Sequence, residues 1–165
     1  MAQRYTDEEI AQLLNERKSL PKDWRSLLRL KQKHGHKEAE LDIEGDGGNT
    51  FRLIIRQNSF NILDFSVILA YCPANMTQIF RLRRYNGKHE HTNQIEGERF
   101  YAFHIHTATE RYQELGAKEE TYAQSTDRFS DVHGALYCLI EDCSLIAPGD
   151  SQGWLFPDRP PLEDG

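Results

Sequence analysis

The sequence predicts an α+β fold: an antiparallel meander of about five strands, with an N-terminal helix and two C-terminal helices packed against one face. Three observations carry this. Between residues 39 and 106, apolar and polar residues alternate in short runs punctuated by turn residues. On either side of that stretch the apolar spacing becomes helical. The links between the alternating runs are too short for crossover helices, so neighbours in sequence become antiparallel neighbours in the sheet.

The first helix is announced by Thr6 and Glu9, which have the spacing of a capping box. Ile10, Leu13 and Leu14 then share one helical face, and Ser19-Leu20-Pro21 ends it. Trp24 to Leu30 is apolar on both periods, which leaves strand and short helix open. Lys31 to Lys37 reads as a polar connection, and its His34-Gly35-His36 as solvated. Ala39, Leu41 and Ile43 alternate with charged residues, as on a half-buried strand. Gly45-Asp46-Gly47-Gly48-Asn49 is a turn, and Phe51, Leu53 and Ile55 begin the return. Asn58 to Asn61 turns again. Leu63 to Tyr71 is more continuously apolar and suits a central strand. After Cys72-Pro73-Ala74-Asn75 comes Ile79 to Tyr85, with Phe80, Leu82 and Arg84 on one side and Arg81, Arg83 and Tyr85 on the other. Asn86-Gly87 is expected to break that strand. Arg99 to His106 returns, with Tyr101, Phe103 and Ile105 on one face and Ala102, His104 and His106 on the other. Thr107 and Glu110 read as a second capping box, which starts a helix directly after His106 and ends it at Gly116. A last helix from about Ser130 carries the stripe Val132, Ala135, Leu136, Leu139, Ile140 and Cys143. The tail from about residue 147 is irregular, and residues 1–165 read as one domain.

Composition bounds the function. A formal net charge of −6 and a pI near 5.6 argue against a general nucleic-acid coat. They leave room for a small basic cleft, and Arg81, Arg83, Arg84 and Lys88 form the densest basic stretch. No apolar run approaches a membrane span, and Met1 to Asp7 lacks the apolar core of a secretory signal. Three cysteines (Cys72, Cys138 and Cys143) with no Cys-x-x-Cys argue against a disulfide framework, and a cytoplasmic location is expected.

The sharpest feature is a pair of His-x-His doublets, His89-Glu90-His91 and His104-Ile105-His106. Four of the seven histidines fall within 18 residues. Residues two apart on a strand point to the same side, so a hairpin can gather all four imidazoles. Imidazole is the side chain best suited to proton transfer near neutral pH, and the commonest metal ligand. Three sites fit. The first is metal-independent acid–base chemistry on a phosphodiester. His104 and His106 would act as acid and base. Arg81, Arg83 and Lys88 would clamp the anion, and the helix terminus at Thr107 would hold phosphate. The second is a single transition metal at His89, His91, His104 and His106, aided by Glu96 or Glu110. The third is a non-catalytic module that binds a protein partner or small anion. The cupin pattern is matched only in part: Glu96 follows the first doublet, but Arg83 stands where that motif needs Gly.

The run Arg84-Tyr85-Asn86-Gly87-Lys88-His89-Glu90-His91-Thr92-Asn93, then Glu96-Gly97, then Phe103-His104-Ile105-His106 with Glu110-Arg111-Tyr112, resembles toxins of the TumE type. These are small bacterial proteins with a His-x-Asn loop and a His-x-His strand, encoded beside an antitoxin and thought to act on RNA. The resemblance implies a site of His91, Asn93, His104, His106 and Glu110, an RNA or nucleotide substrate, and an antitoxin or other protein partner. The resulting expectation is a toxin-like or phage-defence-like protein acting on a phosphodiester without an obligatory metal.

Overall fold

In the computed structural model, which describes residues 4–116 and 118–148, the chain is α+β around an antiparallel meander. Helix α1 (Asp7–Asn15) has the expected capping box between Thr6 and Glu9. After β1 (Lys18–Ser19), the undecided segment resolves as a short helix α2 (Trp24–Leu27), with Trp24 buried. Then come β2 (Lys31–Gln32), β3 (His36–Glu44), β4 (Thr50–Asn58), β5 (Phe65–Cys72), β6 (Phe80–Thr92) and β7 (Arg99–Thr107). Helix α3 (Glu110–Glu114), β8 (Tyr122–Ser125), α4 (Val132–Asp142) and β9 (Leu145–Ile146) complete the order.

The main sheet has seven strands in the order β2 to β8, each antiparallel to the next. The five expected strands are its centre, β3 to β7. The polar connection at Lys31 to Lys37 pairs back as the tight β2–β3 hairpin, with Gly35 at φ 74° in its turn. Strands β1 and β9 form a separate parallel pair.

One face of the sheet packs on α4 and carries the core. Phe51, Leu53, Val67, Leu69 and Tyr85 meet Leu136 and Leu139 there, all inaccessible to solvent. Lys18 is equally buried. Its ammonium donates to the carbonyls of Leu13, Leu14 and Glu16 at the end of α1, and to Cys143 after α4, at 2.7–3.1 Å. One cation thus satisfies the carbonyl ends of two helices. The three cysteines are free. Among the described residues no helix is long and apolar enough to cross a membrane. The tail expected to be irregular lies outside the described residues beyond Pro148.

Candidate functional site

Two bulges in β6 decide which side chains reach the second face of the sheet. Alternation alone puts Arg81, Arg83 and Tyr85 on one side. The register instead jumps from Ala70↔Arg81 to Leu69↔Arg83, which makes Leu82 the extra residue. Arg83 and Tyr85 therefore turn to the core face, while Arg81 and Arg84 share the other. Arg83 Nη1 donates to Tyr85 Oη and lies 3.9 Å from Asp142. A second shift separates Asn86↔His104 from His89↔Ala102. The strand does not break at Asn86-Gly87 as expected; it bulges and runs on to Thr92. Gly87 is needed there, because a Cβ would collide with the carbonyl oxygen of Leu63. This extra residue places His89 and His91 on the same face as Asn86, His104 and His106.

Register alone does not bring His91 to the second doublet. His91 pairs with Phe100. In a flat sheet six residues would separate it from His106 by about 20 Å. Its ring centroid instead lies 4.8 Å from that of His106 and 5.6 Å from that of His104. The β6–β7 hairpin curls over, and Asn93 closes the curl. The fully buried Asn93 amide donates to Ala123 O at 2.6 Å and accepts from Ala123 N at 2.9 Å, on the free edge of β8.

The protonation pattern of the three rings is set by their partners, since carbonyl oxygens only accept. His104 Nδ1–H donates to Ala102 O at 2.7 Å. His106 Nδ1–H donates to Glu120 O at 2.9 Å. His91 Nε2–H donates to Asn93 Oδ1 at 2.9 Å. Each ring then keeps one lone pair. His104 Nε2 and His106 Nε2 are buried with no hydrogen-bond partner in the protein. One ring nitrogen from each of the three lies within 4.8 Å of the others. His89 stacks edge-on against His104 at 4.6 Å, but its Nε2 accepts from Asn86 and the residue is only half-buried. The four rings gather, and three of them, His91, His104 and His106, stand close enough that they could hold a metal ion together.

Burial, reinforced by the neighbouring imidazoles and Arg84, lowers His106 to about 2. Burial likewise lowers His104 to about 4, against a backbone bond to Ala102 that favours the charged ring. Both imidazoles are neutral at pH 7. An acid–base pair needs one protonated partner, and neither of these two supplies it. Neutral imidazole is the ligand form of histidine. Arg84 sits opposite His106 in the register, with Glu120 Oε2 at 3.7 Å to balance its charge.

Several expected site residues lie elsewhere. Thr107 belongs to β7, and the cap is Thr109, so no helix begins directly after His106. Thr107 therefore offers no phosphate-holding helix terminus, contrary to the expectation from its spacing to Glu110. Glu110 accepts from Asp7 N and ties α3 to α1. Arg83 is on the core face. Lys88 is exposed and lies over the Tyr101 ring. Glu96 pairs with Arg111 and Tyr112. Arg81 is on the site face, but its backbone N–H and guanidinium engage Glu119 and Glu120. Asn93 is spent on fixing His91 and β8. Sequence reasoning missed Arg84 as a member of the site, because the first bulge is invisible to alternation. It missed Glu120 entirely, for no local motif marks it.

No family model matches the chain, and neither the curated proteins nor the solved structures give a match.

Proposed function

We propose that this protein is a metalloprotein in which His91, His104 and His106 hold one divalent transition ion, zinc in the first instance. The observation that carries the reading is the hydrogen-bond pattern. Each of the three rings gives one N–H to a carbonyl oxygen, and one ring nitrogen of each lies within 4.8 Å of those of the other two. Ligand histidines are oriented in this way, and a three-histidine set leaves a coordination position open for chemistry. Zinc bound at about 2.1 Å to each nitrogen needs separations near 3.4 Å, so the widest pair must close by about 1.4 Å.

Bound there, the ion would act as a Lewis acid on an anionic substrate. RNA or a nucleotide phosphodiester, the substrate the toxin resemblance implies, is the first to assay. An antitoxin-like protein partner belongs to the same reading. The acid–base alternative without metal is disfavoured by the two neutral buried rings. The arginines on this face are already matched by carboxylates (Asp42, Glu38 and Glu120), which disfavours a broad RNA track.

The test uses tag-free, chelator-treated protein titrated with zinc, cobalt, nickel, iron(II) and manganese(II), with elemental analysis after dialysis. One equivalent of one metal, lost in His104→Ala while circular dichroism is retained, supports the centre. Retention of no metal, or RNA cleavage indifferent to chelator, overturns it.

A further inference from the structure

Among the described residues, four of the buried polar side-chain atoms without a hydrogen-bond partner cluster at this centre: His104 Nε2, His106 Nε2, Arg84 Nε and Glu120 Oε1. Native proteins satisfy nearly all such groups, so a local concentration of orphans marks a place built for something else. Glu120 is 3% exposed. Its backbone oxygen fixes His106, and its carboxylate stands between Arg81 and Arg84 at 3.7–3.9 Å, beyond hydrogen-bond length to either. Residues 118–121 lay it over the site face, where Thr121 N and Oγ1 donate to Lys118 O and Glu119 accepts from Arg81 N.

The four orphans ask for different things. The imidazole lone pairs ask for a cation. The Arg84 N–H asks for an acceptor. The Glu120 oxygen is an acceptor only, and asks for a donor. A bare metal ion answers the lone pairs but leaves the Arg84 N–H without an acceptor. A fully deprotonated anion such as sulfate answers Arg84 but sets an oxygen lone pair against the Glu120 carboxylate. An oxyanion that still carries a proton answers all: one oxygen to the ion, one to Arg84, and a hydroxyl donated to Glu120.

We infer that the centre binds inorganic phosphate in a form that keeps a P–OH, with Arg84 Nε as donor and Glu120 Oε1 as acceptor of its hydroxyl. This rests on the metal reading above and not on its phosphodiester substrate, which carries no P–OH. At neutral pH inorganic phosphate retains at least one P–OH, whereas sulfate has none. The site therefore discriminates two anions of nearly equal size and shape by one proton.

Calorimetric titration of the zinc-loaded protein with inorganic phosphate, sodium sulfate and sodium acetate tests this. Phosphate is expected to bind at least about tenfold more tightly than sulfate, because a carboxylate facing an unprotonated oxygen is a repulsive contact. Acetate separates a general carboxylate site from a phosphate site, and is expected to bind more weakly than phosphate. Glu120→Gln, whose amide can donate, should erase the preference for phosphate over sulfate. Arg84→Met, with Arg84→Lys beside it should the first misfold, should weaken phosphate by about tenfold while zinc stoichiometry stays at one. Sulfate or acetate binding as tightly as phosphate in wild type, which needs no variant, overturns the inference and leaves the metal centre standing. Unchanged phosphate affinity in Arg84→Met does the same. Failure to bind zinc overturns both.

Discussion

Replacing Lys18 by Met tests whether one buried cation holds two helix ends. The side chain is inaccessible to solvent and donates to four carbonyl oxygens. Those of Leu13 and Glu16 are partly exposed, and water can take over there. Those of Leu14 and Cys143 are buried and would lose their donor. Each orphaned buried acceptor costs about 1–3 kcal/mol, while the methionine keeps the packing of the stem on Phe51. The expected loss is about 2–4 kcal/mol, or roughly 4–16 °C in midpoint for a domain of this size. Urea denaturation at pH 7 measures it. A loss below about 0.5 kcal/mol, or a gain, would mean that the cost of burying the ammonium equals the value of its hydrogen bonds. The pH dependence gives a second reading. Burial lowers the Lys18 ammonium to about 8, with the Glu16 carboxylate among the groups opposing, so it remains charged at pH 7. The unfolded chain keeps that proton to about 10.4. The cost of the buried charge is present in full below about pH 8 and fades as pH rises towards about 10.4. Wild type should therefore gain stability relative to Lys18→Met over that window, and equal slopes would refute the buried ammonium.

Other perturbations test further contacts. Asp142 accepts from both Nη atoms of Arg128 at 2.8 and 2.9 Å and from Tyr85 at 2.7 Å. Burial alone would raise its carboxyl, but these partners hold it below the ordinary aspartate value. Its contribution is present above about pH 4 and lost as pH falls through the folded value, so Asp142→Asn should flatten the acid limb of urea midpoints between about pH 2 and 5. Asn93→Ala should cost about 2–4 kcal/mol in denaturation, because Ala123 loses both partners in a buried setting. It should also weaken zinc by about 10–100-fold, through loss of the carbonyl that orients His91; unchanged zinc affinity would remove Asn93 from the site. Gly87→Ala should lower the thermal midpoint by about 5 °C or more, since the collision at Leu63 is with backbone and cannot relax by rotamer change.

The meander, its turns, the first capping box and the stripe of α4 were legible in the sequence because each rests on local rules of period 2, period 3.6 and turn chemistry. That the two histidines of each doublet share a face was legible for the same reason, since strand period alone decides it. Which neighbours would join them was not. The bulges at Leu82 and Gly87 each insert one residue into β6, and each reverses the faces of the residues beyond it. That is why Arg83 sits against Asp142 rather than beside the histidines, and why Arg84 takes the place that alternation assigns to Arg83. The second capping box misled by two residues, because Thr107 and Thr109 offer the same hydroxyl and only strand pairing with Tyr122 keeps Thr107 extended. Glu120 and the docking of Asn93 on Ala123 depend on contacts 14 and 30 residues apart in sequence, formed only when the hairpin curls. Sequence determined that the two imidazoles of each doublet would share a face, and the bulge at Gly87 put both doublets on the same one. The curl of the sheet decided that three of them would share a centre, because strand period fixes direction and only long-range pairing fixes distance.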